Sequence, residues 1–181
     1  MRRSKHVLLL TAVAALVVAT VAVAAAQRMH PQTTDVSAAF TATQTRINSH
    51  TCTEAGNTFR VTNAVWRGTS TSSEPRLAGN VVIRTHAVLN ETTGDGWVSG
   101  SWRSRNPAGG AANAHLAAVI DEGNHLDGLA NGSVRHAGAR LLGNWSATIV
   151  GQTLSGELGA NTPVAPDNSA LLYRGGCRHG D

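Results

Sequence analysis

The chain has 181 residues, of which 41% are hydrophobic, 14% charged and 4% aromatic, and its formal net charge is +4. That balance is too apolar and too weakly charged for an intrinsically disordered chain, and the length suits one domain able to bury a core. Three of the fifteen basic residues, Arg2, Arg3 and Lys5, stand at the start; the other twelve, all arginine, face eleven carboxylates, a net charge of +1, and they are scattered singly, so no basic stripe points to a nucleic-acid partner.

Met1-Arg2-Arg3-Ser4-Lys5 forms a basic head, and Val7 to Ala26 follows as an apolar run broken only by Thr11 and Thr20. This is the layout of a secretory signal, ending in Ala24-Ala25-Ala26, where a signal peptidase requires small residues. Residues 1–26 are therefore expected to be a cleaved signal peptide, and the mature protein to be secreted or extracytoplasmic. The alternative is an uncleaved anchor over residues 7–26, since about 20 apolar residues suffice to cross a bilayer; membrane contact is expected through this segment alone. Residues 27–45 are rich in Thr, Ser, Gln and Ala without a sustained period and read as a flexible N-terminal segment, with residues 46–181 as a single domain.

From Arg46 onward, apolar and polar residues alternate between Gly, Asn, Asp and Pro breaks, the mark of strands with one buried face. In Leu77 to Leu89 the odd positions are apolar, small or Thr, and the even ones include Asn80, Arg84 and His86, so the odd side is expected to face the core. Leu141, Gly143, Trp145, Ala147 and Ile149 make the same pattern within Arg140 to Val150. Further candidates are Phe59 to Trp66, Gly96 to Ser104, His115 to Asp121, Leu126 to Arg135, Thr153 to Leu158 and Ala170 to Arg174. With the segment leading into Cys52 they make about nine strands. Ala111 to Ala118 carries the best helical signal, and its second half still reads as strand. Thr92-Thr93-Gly94-Asp95-Gly96, Asp121-Glu122-Gly123-Asn124 and His136-Ala137-Gly138 supply hairpin turns.

An apolar residue, any residue and a glycine recur at Leu77-Ala78-Gly79, Val98-Ser99-Gly100, Leu126-Asp127-Gly128, Leu141-Leu142-Gly143 and Leu154-Ser155-Gly156. Glycine inside a strand weakens it unless the sheet must bend or backbones must approach closely, and repeated strand glycines let a sheet coil until it closes. The expected fold is all-β, a small antiparallel barrel of eight to nine strands, with a β-sandwich as the alternative. In this texture, over residues 46–178, the chain resembles secreted small β-barrels of the calycin or allene-oxide-cyclase-like type. The resemblance implies a barrel with an apolar lumen and no particular activity, because one architecture hosts many functions.

Cys52 and Cys177 are the chain's two cysteines. An even count in an exported chain reads as a disulfide, and closing so long a loop would stabilise the fold by about 5 kcal/mol in the chain-entropy picture. Cys177-Arg178-His179 is the sole Cys/His cluster and falls short of the four ligands that structural zinc takes, so no metal is expected, nor any other cofactor. Catalytic signatures are missing as well. There is no Gly-x-Ser-x-Gly elbow, and Asp121-Glu122 reads as a solvated corner.

The residue type that stands out is Trp, at 66, 97, 102 and 145, with Trp145 on the apolar side of its strand. Trp97 and Trp102 are five apart, which puts them on opposite faces of a regular strand. His86 shares a face with Arg84. Trp97, Trp102, Trp66, His86 and Arg84 are thus the ligand-binding candidates, against the plainer reading of core tryptophans and surface polar groups. The expected function is non-catalytic binding of a small apolar or amphipathic ligand or a cell-surface partner. The alternatives are a barrel-mouth enzyme of cyclase, isomerase or hydrolase type, and a structural envelope protein.

Overall fold

A computed structural model of the chain describes residues 34–121, 124–135, 139–159 and 177. The expected signal peptide, the turn expected at residues 136–138, the proline-containing loop expected after residue 159 and the strand expected at 170–174 lie outside the described residues. Among the described residues eight strands follow one another: β1 (Ala38–Glu54), β2 (Asn57–Ser72), β3 (Gly79–Asn90), β4 (Gly96–Asn106), β5 (Gly110–Asp121), β6 (His125–Val134), β7 (Ala139–Val150) and β8 (Thr153–Leu158). Each pairs antiparallel with the next, and β8 returns to β1 from Ala38↔Leu158 to Thr43↔Thr153, so the sheet is a closed barrel and not a sandwich. The stretch with a helical tendency lies wholly within β5, where Ala112, Ala114 and Leu116 alternate inward.

β1 starts at Ala38, well inside the segment expected to be loose. Ala38, Phe40 and Ala42 are buried there, but two of these three side chains are so small that the apolar rhythm is faint among the Thr residues between them. A register shift between Gln44 and Arg46 then reverses the alternation. Beyond the shift β1 pairs only with β2, and the register sets Cys52 beside Phe59 on the outer side of the hairpin.

An eight-stranded barrel has an interior just wide enough for side chains to fill. Here Phe40, Trp66, Ile83, Trp102, Leu116, Trp145 and Leu154, contributed by seven of the strands, are all buried in one cluster. Phe40 meets Trp102 edge-on with ring centroids 4.9 Å apart. Burying one tryptophan removes about 200 Å² from water and contributes about 5 kcal/mol. That exceeds the roughly 1–3 kcal/mol cost of leaving an indole N–H unpaired, the condition of Trp102 and Trp145, whose Nε1 atoms have no hydrogen-bond partner among the described residues. Trp66 Nε1 donates to Thr85 Oγ1 at 3.2 Å.

The inward glycines explain how the sheet closes around so few large residues. A Cβ at Gly128 would lie 2.0 Å from the Ala117 carbonyl oxygen, one at Gly156 2.1 Å from that of Ser146, and one at Gly100 2.3 Å from that of Arg84. Gly68 and Gly132, outside the recurrence found in the sequence, are tighter still at 1.9 Å. At these points neighbouring backbones press together on the inner side, where a strongly coiled sheet has least room.

One end of the barrel is stoppered by the link between β2 and β3. Leu77 enters the core fully buried, held because Ser70 Oγ donates to its carbonyl at 2.5 Å and Ser104 Oγ donates to that of Arg76 at 2.8 Å. Arg76 also donates to both carboxylate oxygens of Glu74. The paired guanidinium keeps the Glu74 carboxyl below its ordinary value.

Cys52 is bonded to Cys177, 125 residues away. The pair packs on a second apolar cluster, Phe59, Val61 and Val88 with Trp97, which lies on the outer face. Replacing both cysteines by serine is expected to lower stability by about 2–5 kcal/mol in denaturant titration. Gly132→Ala is expected to cost about 3 kcal/mol or to prevent folding, since the new methyl meets backbone that cannot move aside. Gly109→Ala, at φ +97° with nothing within 4 Å of a Cβ, serves as the comparison and should cost about 1 kcal/mol.

Candidate functional site

The register that fills the interior also decides what gathers outside. On the outer face Arg84 pairs with Ser101, Ser101 with His115, and His115 with Asn131. A neighbouring row reads Arg103, Asn113, Ser133, Arg140. Directly paired positions sit about 5 Å apart, so residues far apart in the chain form two polar lines crossing the strands.

These lines border two concavities. The first, about 510 Å³, is lined by Asn63, Arg84, His86, Ser99, Ser101 and His115, with Gly100 in its lining. The second, about 460 Å³, shares Ser101 and His115 with the first and continues past Arg103 and Asn131 to Arg135 and Arg140. Because outward Ser and Asn side chains are short, the surface dips between the longer arginines. His86 Nδ1 bonds Asn63 Oδ1 at 3.0 Å, and its ring lies 5.4 Å from that of Trp97. Trp97 thereby links the outer apolar cluster to the first concavity.

The charge on this face is one-sided. The ion pairs among the described residues are Arg60 with Glu91, Arg76 with Glu74 and His125 with Asp127. Arg67, Arg84, Arg103, Arg105, Arg135 and Arg140 are exposed and take no part in them. Glu54, Glu91, Asp95 and Asp121 stand instead at the strand ends and turns of the opposite rim.

The candidates from the sequence separate accordingly. Trp66 and Trp102 are core, whereas Trp97, Arg84 and His86 come together outside, and β4 runs regularly enough to put Trp97 and Trp102 on opposite faces. His115, Arg103, Asn131 and Arg140 escaped sequence reasoning. Each looked like an isolated outward residue, and only the pairing of β4 with β5, β6 and β7 joins them.

Chemically the face is suited to binding. Ser99 stands opposite His86, yet the imidazole bonds Asn63 and no serine hydroxyl among the described residues. No group of three His, Cys, Asp or Glu that could hold a metal ion occurs among the described residues. No protein family, curated protein or solved structure matches the chain.

Trp97→Phe is expected to remove most of the fluorescence that acrylamide quenches, because the other three tryptophans are at most 3% exposed. Trp102→Phe should leave the quenchable fraction unchanged. Equal quenching in the two variants would contradict the outward placement of Trp97.

Proposed function

We propose that this chain is an exported, non-catalytic binding domain that engages a polar or anionic surface partner on the outside of its barrel. The observation carrying this reading is the joined pair of concavities walled by Arg, His, Ser and Asn. Trp66, Trp102, Trp145 and Phe40 crowd the interior, which favours an external site over the lumen ligand implied by the resemblance to calycin-type barrels. Export is supported by the signal-like residues 1–26 and by the Cys52–Cys177 bond, which persists in oxidising compartments. The absence of a serine–imidazole hydrogen bond among the described residues favours binding over hydrolysis.

Backbone amide NMR shifts recorded while titrating cellohexaose, heparin octasaccharide and cis-parinaric acid test the reading. Perturbations centred on His86, Ser101 and His115, weakened at least tenfold in affinity by Arg84→Ala with His115→Ala, are the expected result. Binding of parinaric acid with shifts confined to the Trp66, Trp102 and Trp145 indoles would place the site inside and overturn the proposal.

A further inference from the structure

Arg67 pairs with Val82, Val82 with Arg103, Arg103 with Asn113, Asn113 with Ser133 and Ser133 with Arg140. This single line crosses six consecutive strands and, at about 4.8 Å per strand, runs about 24 Å around the barrel. Arginines stand at its beginning, middle and end, about 10 and 14 Å apart on the same spacing. Arg84 and Arg135 flank it, and none of the five is engaged by a carboxylate among the described residues. Between them lie Asn113, Ser133 and Asn131, whose amides and hydroxyls both donate and accept.

We propose that the partner is a linear acidic polysaccharide, bearing sulfate or carboxylate groups, that lies along this row across β2 to β7. The proposal rests on the outer-face reading above and names its ligand class. Guanidinium forks suit sulfate and carboxylate because they donate two parallel hydrogen bonds and shed water readily. The neutral amide and hydroxyl of Asn113 and Ser133, between Arg103 and Arg140, match sugar hydroxyls that separate one acidic group from the next, and Val82 between Arg67 and Arg103 offers an apolar contact to a sugar ring. A flexible chain can follow the girth of the barrel, whereas a flat bilayer meets only a few adjacent strands of a convex surface. Leu129 and Leu142, exposed on β6 and β7, give one flank a small apolar pair, and vesicles are for that reason included in the test. Single-stranded nucleic acid is bound largely by stacking bases on aromatic side chains. The row carries none, and the outward Trp97 packs against the disulfide cluster instead.

The test compares heparin octasaccharide, a galacturonate octamer, an oligo-dT 20-mer and phosphatidylglycerol vesicles by titration against the full disulfide-bonded domain. At least one acidic glycan should bind more tightly than the DNA and the vesicles. Arg103→Ser with Arg140→Ser should weaken that glycan at least tenfold and flatten its salt dependence, because fewer counterions are displaced. Arg103→Lys with Arg140→Lys should recover part of the loss, and both variants should keep the parent's thermal midpoint. Tighter binding of the DNA or of the vesicles overturns the proposal. Glycan binding abolished by Arg84→Ala with His115→Ala but untouched by the Arg103 and Arg140 changes overturns the row while leaving the outer-face site. Glycan binding indifferent to both pairs of changes overturns both readings.

Discussion

The close approach of backbones on the inner side of the sheet is the constraint from which the other features follow. An eight-stranded barrel with three tryptophans in its core cannot also have a full complement of large residues at every inward position, and the inward glycines relieve this twice over. They allow the strands to coil sharply enough for β8 to meet β1, and they offset the volume of the indoles. Gly128 is the direct cross-strand neighbour of Trp145, so one of the largest core side chains stands beside a residue with none. Any side chain at Gly68, Gly128, Gly132 or Gly156 would collide with a carbonyl oxygen of the next strand. The barrel's girth is thus set by main-chain contact rather than by side-chain packing alone.

The same closure moves chemistry outward. With the interior committed to apolar burial, the hydrogen-bonding and charged side chains that the alternation leaves over must stand on the outer wall. Antiparallel pairing then arranges them in lines around the barrel and not along the chain. A net charge near zero for the portion after residue 26 conceals this, because Arg67, Arg84, Arg103, Arg105, Arg135 and Arg140 form no ion pair among the described residues, while Glu54, Glu91, Asp95 and Asp121 stand at the strand ends and turns of the opposite rim. A protein with such a charge distribution carries a directional field even where its total charge is small.

The fold was largely legible in the sequence, and the site only in part. Alternation in Leu77 to Leu89 and in Arg140 to Val150 identified strands and the side each buries, since a period of two is a local property. The glycine recurrence pointed to coiling, and Gly79, Gly100, Gly128 and Gly156 each press on a neighbouring strand. The start of β1 was obscured because alanine contributes little apolar contrast. The extent of β2 to Ser72 was obscured because Thr69 and Thr71 suit a loop as well as a strand. Arg84 and His86 could be paired as one strand face from their spacing. Their association with His115, Asn131 and Arg140 depends on register across several strands, which hydrophobic rhythm alone leaves open.

The bond between Cys52 and Cys177 has a consequence for the order of events in biogenesis. Cys52 lies in the first strand, whereas its partner follows all eight, so every strand must have been synthesised before the two sulfurs can meet. Oxidation can therefore act only on a chain in which all of these strands have already been made. Chains that end anywhere within β2 to β8 lack Cys177 and leave Cys52 without its partner.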